Sequence, residues 1–261
     1  MKLLFTLLAS ASIAGSAAAQ LDYRNLDQSR PTSVEDAYPL ERYGFELSGG
    51  YRRSGAGGGG RDLLAPELVY GIARGAQAAV RLPWVIRGGA GTAGLAGADL
   101  SLLVNFSTEG PKLPGLSARI DASLPVGAAG GHGVGVALTG LATRSFGTRR
   151  VHLNGSVALG LPEAPGVADP LPRWWLGLAV DQTLIRHSTL LVGEASISSA
   201  RGGVRPGYAV GLGIRRQLLP TLVGDVGLGW DFKPHIRGEL DLTIGLSHSF
   251  ALAFLMPVRS R

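Results

Sequence analysis

His152, Asn154 and Ser156 occupy alternate positions of one apolar run, and a histidine, an amide and a hydroxyl on one face are groups a hydrolase could use. An extended chain rises ~3.3 Å per residue, which sets His152 and Ser156 ~13 Å apart, too far for a base to reach its nucleophile. The three residues therefore predict a polar patch lining an interior rather than a catalytic centre. Residues 89–94, GAGTAG, match the spacing G-x-G-x-x-G. Dinucleotide binding needs a helix directly after such a loop, whereas residues 98–106 alternate with period two, so this is read as a hairpin loop. The chain has no cysteine, which excludes disulfides and thiolate metal sites, and no metal or cofactor is expected.

A second constellation is made of charges. Glu67, Arg81, Asp99 and Arg119 fall on four successive strand-like runs with alternating sign, and simple hairpin registers predict that they stand at similar heights and pair across strands. Asp121, Asp181, Glu194, Arg215, Asp225 and Asp241 lie on the same polar parity further along. Ala79, Gly135, Ala137, Gly177, Ala179, Gly211, Gly213 and Gly227 lie among them and are small, which leaves interior space unfilled by the wall's own side chains. Two readings stand side by side: a polar path that selects solutes, or paired charges that only hydrate and stiffen a wall.

The elements that must carry these residues are strands. In residues 240–250, Leu240, Leu242, Ile244, Leu246, His248 and Phe250 share one parity, while Asp241, Thr243, Gly245, Ser247 and Ser249 share the other. Successive side chains of a strand point to opposite faces, so one face meets an apolar medium and the other water. The pattern predicts twelve strands, at 43–53, 62–74, 76–88, 94–108, 114–127, 131–146, 149–161, 172–185, 188–201, 205–218, 220–233 and 236–250. Only the ninth is ambiguous, since Leu190 and Val192 share a face with Glu194; the charge assigns Leu191, Ala195 and Ile197 to the apolar side.

These runs reach the ~9 to 11 residues that cross a bilayer at a tilt, longer than the strands of a soluble sandwich are expected to be. Their connections alternate between tight turns, such as Arg74-Gly75 and Leu219-Pro220, and longer Gly/Pro-rich loops, and Trp84, Phe106, Trp174, Trp230 and Phe250 sit near strand ends. The expected fold is all-β, a single antiparallel up-and-down transmembrane barrel spanning 43–250, with a tail at 251–261. Residues 1–19, one lysine followed by an apolar run and three alanines, read as a signal peptide, and 20–42 as a periplasmic N-terminal arm or partial plug.

The formal net charge is +6, carried almost wholly by arginine. Nucleic acid is not expected, because the arginines neither cluster on a helix nor interleave with stacking aromatics. Arg52, Arg53, Arg61, Arg87, Arg173, Arg201, Arg205, Lys233 and Arg237 fall at the ends of strands that face outward from the cell, a basic rim suited to lipopolysaccharide phosphates. Expected partners are therefore outer-membrane lipid and lipopolysaccharide, the barrel-assembly machinery during biogenesis, and a small-molecule solute.

Several short segments carry a family resemblance: Arg30-Pro31-Thr32-Ser33-Val34-Glu35-Asp36-Ala37, ERYGFELSGGY at 41–51, Leu82-Pro83-Trp84, Ser123-Leu124-Pro125-Val126-Gly127, Val151-His152-Leu153-Asn154 and Leu242-Thr243-Ile244-Gly245-Leu246. In these the chain resembles the bacterial outer-membrane transporter barrels known as the "MetA pathway of phenol degradation" family. The resemblance implies a lone barrel in the outer membrane of a Gram-negative cell, porin-like in its passage of aromatic or other hydrophobic small molecules. The expected function is thus a channel or transporter and not an enzyme, with an outer-membrane lipid hydrolase and a structural or adhesive barrel as the alternatives.

Overall fold

Proline and glycine decide where the predicted strands break. The computed structural model describes residues 22–55, 60–88, 93–160, 173–184, 188–199, 206–232 and 238–256. Among them the strands are β1 (Gly44–Ser54), β2 (Arg61–Ala73), β3 (Ala76–Arg81), β4 (Trp84–Arg87), β5 (Gly94–Leu95), β6 (Ala98–Ser107) and β7 (Gly115–Leu124). They continue as β8 (Gly135–Phe146), β9 (Arg149–Gly160), β10 (Trp174–Leu184), β11 (Thr189–Ser198), β12 (Gly207–Leu219), β13 (Leu222–Phe232) and β14 (Glu239–Ala251). Pro83 cannot donate to a ladder and splits one crossing into β3 and β4; Gly97, at φ 146°, splits the next into β5 and β6. The wall stays continuous across both breaks, because the Leu82 amide donates to the Pro66 carbonyl at 2.9 Å and the Ala96 amide to the Pro83 carbonyl at 2.8 Å.

Counting each split crossing once gives twelve staves, all antiparallel. β1 pairs with both β2 and β14, so the sheet closes on itself. Strand ends differ from the expected ones by at most four residues.

The side chains are sorted inside out relative to a soluble protein. Leu102 is 39 % exposed on the outer face while Leu103 is 3 % exposed on the inner one. On β11, Leu191 is exposed and Leu190 and Val192 are fully buried, so Glu194 does mark the inward parity. Leucines, valines and isoleucines form an exposed band around the barrel, the arrangement a lipid medium requires. Aromatic residues edge that band. Phe45 stacks on Tyr70 and Phe250 at one end, with centroids 4.4 and 5.3 Å away, and Trp84, Trp174, Trp230 and Phe232 are exposed at the other.

The interior is not empty. Residues 22–42 thread it, reversing at Asp27–Arg30, where the Arg30 amide donates to the Asp27 carbonyl at 3.2 Å. Tyr23, Leu26 and Val34 of this arm cluster with Leu190, Val192 and Val223 of the wall, and Ala37 with Leu103 and Leu141. The residues expected as signal peptide and residues 257–261 of the C-terminal tail lie outside the described residues, as does most of the GAGTAG loop.

Candidate functional site

The wall receives the arm through bare backbone. A Cβ added at Gly213 would stand 2.6 Å from the Pro31 ring, one at Gly177 would stand 2.7 Å from Val34, and one at Gly227 would strike the Pro31 carbonyl. Small inward residues that leave room in the sequence thus form a berth for a particular proline and valine. Substituting Gly213→Val should force Pro31 away from β12 at a cost of about 1–3 kcal/mol, while Gly140→Val, whose Cβ would meet nothing within 4 Å, should not. Trypsin cleavage after Arg24 in the folded barrel reads the difference; equal resistance in both variants would mean that Pro31 adapts to the added bulk.

Charge then fixes the arm at three places. Arg215 on β12 and Asp225 on β13 are ladder partners, and the arm inserts Asp27 and Arg30 between them. Arg215 grips Asp27 with two parallel bonds of 2.6 and 3.1 Å, while Arg30 binds Asp225 at 3.1 Å and Asp27 at 2.9 Å. Two cations and two anions close a buried square, completed by the Ser247 hydroxyl, which donates to Asp27 at 2.9 Å. Burial pushes the Asp27 carboxyl up, but Arg215, Arg30 and Ser247 outweigh it and hold this group below its ordinary range.

The second knot gathers the hydrolase-like residue types. His152 lies between Thr143, 3.0 Å from Nδ1, and Asp181, 2.9 Å from Nε2. Arg150 bridges Asp181 at 2.6 Å to Asp36 of the arm at 3.3 Å, and Thr143 accepts the Ala37 amide at 2.9 Å. This chain begins and ends on the arm, so its chemistry is anchoring. Ser156 has no place in it, since Ser156 faces Trp175 and Thr139 in the ladders while His152 faces Ala179 and Thr143. Asn154 clamps the arm backbone in both directions, accepting the Glu35 amide at 2.7 Å and donating to the Glu35 carbonyl at 3.0 Å. Burial raises the Asp36 carboxyl above its ordinary value in spite of Arg150.

Arg119 makes the third contact, to Glu35 of the arm and, at 2.9 Å, to Asp121 on its own strand. Glu194 accepts the Ser33 and Val34 amides at 2.8 and 2.9 Å.

The expected ladder Glu67, Arg81, Asp99, Arg119 needs correction. Glu67 faces Arg81 and Arg81 faces Asp99, yet neither pair closes to ion-pair distance. Asp99 faces Ser123, which donates to it at 2.7 Å, while Arg119 faces Leu103 and so stands lower on the wall. The register of β6 with β7 puts Ser123 opposite Asp99, four residues along β7 from Arg119, and this leaves Arg119 out of line. Asp241 pairs with Arg52 at 3.0 Å, so that arginine turns into the mouth of the barrel instead of toward lipid. Arg53 and Arg87 converge on Asp62 at 3.3 and 3.0 Å, near Arg61; Arg173 is exposed just before β10. Arg201, Arg205, Lys233 and Arg237 lie outside the described residues.

The arm's own groups, Asp27, Arg30, Glu35 and Asp36, and the wall residues Arg150 and Thr143 were absent from the expected site. The available signal was the alternation of charge at 27–36 against unfilled space of opposite charge on the wall.

No family model and no curated protein matches the chain. Solved structures do. The chain is similar to the COG4313 outer membrane channel from Pseudomonas putida F1, with a TM-score of 0.61 at 14 % identity over 82 % of this chain and 98 % of that one. This is the fold of bacterial outer-membrane barrels. The KdgM porin, also solved in complex with disordered oligogalacturonate, gives a TM-score of 0.53 at 12 % identity over 78 % of this chain and 99 % of that one. The NanC porin gives 0.54 at 8 % identity over 78 % and 98 %.

Proposed function

We propose that the protein is an outer-membrane channel for small molecules whose lumen is held shut by its own N-terminal arm and opens when the arm leaves. The observation that carries this reading is how the arm is held. Among the described residues it joins no wall strand by a continuous backbone ladder, and is fixed by side chains, ion pairs and glycine contacts that a displaced arm can give up without disturbing the sheet. With the termini of an even-stranded barrel at one end, the arm enters from the periplasmic side.

Departure of the arm would bare Leu103, Leu141, Leu190, Val192 and Val223 beside the charged groups that had bound it. A lumen with an apolar stripe and a polar one suits a small amphipathic or aromatic solute, in keeping with the phenol-degradation family that the sequence resembles. On the outer rim, Arg53, Arg61 and Arg87 would meet lipopolysaccharide phosphates.

The test is single-channel conductance of the refolded protein in planar bilayers, with and without residues 22–42. The full chain should be closed or rarely open and the truncated barrel should conduct steadily. A truncated barrel that is folded and still silent would sink the transport reading.

A further inference from the structure

Beside the arm, against β1, β2, β3, β6 and β7, a cavity of about 50 Å³ remains. Its lining includes Glu46, Glu67, Gln77 and Ser101 from the wall and Asp27 and Glu35 from the arm. These carboxylates are not equivalent. Asp27 is shared by Arg30 and Arg215, and Glu35 is bonded to Arg119, the single guanidinium on the lining among the described residues, which also serves Asp121.

Glu67 has no such partner. It is 8 % exposed, lines the cavity, forms neither a hydrogen bond nor an ion pair among the described residues, and faces an Arg81 that does not close on it. Glu46 is 6 % exposed. The Ser247 hydroxyl is within its reach, but that group has one proton and Asp27 takes it at 2.9 Å. In the β1–β2 ladder Glu46 faces Val69 and Glu67 faces Ser48, so the two glutamates are diagonal neighbours on one inward face, a separation that long side chains span.

Two buried carboxylates without cations of their own are costly unless something neutralises them. From this geometry we infer that the cavity binds a weakly hydrated monovalent cation, held between Glu46 and Glu67 with Gln77 and Ser101 beside it. The volume admits one such ion with a water or two. No three carboxylates among the described residues converge closely enough to ligate a metal ion directly, so the site lacks the several anionic ligands a calcium-like divalent ion gathers, and a weakly hydrated monovalent ion, which sheds its water readily, suits it better. The site belongs to the closed barrel and stands apart from the transport reading.

Rubidium is the probe. Crystals of the full-length barrel equilibrated with rubidium chloride should show an anomalous peak between Glu46 and Glu67, and the peak should be lost in Glu67→Gln. In solution, rubidium chloride should raise the melting temperature above that in tetramethylammonium chloride of equal ionic strength, by binding the folded state, and Glu67→Gln should abolish the difference. An empty cavity in the wild type, or a peak that survives the double change Glu46→Gln and Glu67→Gln, overturns the proposal. So does an infrared band of a protonated carboxyl that vanishes in Glu67→Gln while no rubidium binds, because a proton would then be neutralising the pair. A barrel that binds rubidium but never conducts leaves the site standing and rejects the channel alone.

Discussion

Arg215→Met should release the arm from a barrel that remains folded. Arg215 is fully buried and supplies both bonds of the fork on Asp27, with Asp225 3.5 Å from the same guanidinium nitrogen. Methionine keeps the volume and removes the charge, leaving Asp27 and Asp225 to compete for Arg30. Breaking a buried ionic group by removing one partner costs about 3–5 kcal/mol, because the remaining charges stay desolvated. Only the docked state bears that cost: once the arm is out, water reaches Asp225. The variant should therefore conduct like the chain lacking 22–42 and should be cut after Arg24 by trypsin. Adding Asp27→Asn should restore part of the closure by removing the stranded arm charge, a coupling that a double-mutant cycle measures. Closure equal to that of the wild type would show that the other two knots hold the arm unaided.

The same geometry changes what other lumen substitutions report. Asp181, Glu194 and Asp225 sit on the wall as inward carboxylates, and on sequence alone their amides would be expected only to shift ion preference. Each of them holds the arm, through Arg150, through the Ser33 and Val34 amides, and through Arg30. Their first effect should be opening, and selectivity becomes measurable only afterwards.

The strands were legible because a period of two is a local property, set by the chemistry on either side of each residue; β14 alternates without interruption from Leu240 to Phe250, and even the single charge of Glu194 sufficed to orient β11. Registers were less so. Arg119 shares the inward parity of Asp99 but stands four residues from Ser123, which faces it; parity assigns a face, whereas height on the wall depends on how two strands meet, which neither strand encodes alone. The arm was the least legible part. Asp27 and Arg30 resemble any solvated turn until Arg215 and Asp225 are brought to them across nearly the whole chain, and Gly213 or Gly227 looks like ordinary lumen space until Pro31 fills it. His152 illustrates the same limit. Its hydrolase-like setting is completed by Thr143 and Asp181 from neighbouring strands, not by Ser156 on its own.

On the outer face, Leu102→Arg should cripple assembly where Ser101→Arg does not. Leu102 is 39 % exposed near the middle of β6, opposite Ala78 and Ile120, so an arginine there would face the hydrocarbon core of the bilayer. That placement costs ~2–4 kcal/mol at the midplane, a large share of the margin by which a barrel is stable. Ser101 points inward at the cavity and faces Asp121, so an arginine there gains a carboxylate and water. Leu103, although also inward, is the wrong control: it is buried against Ala37, and an arginine there would expel the arm while leaving the wall intact. Refolding yield into lipid vesicles, read by the heat-modifiable gel shift of a folded barrel, should thus fall steeply for Leu102→Arg and stay near wild type for Ser101→Arg. Equal yields would reverse the assignment of faces, and with it the placement of lipid outside and the arm within.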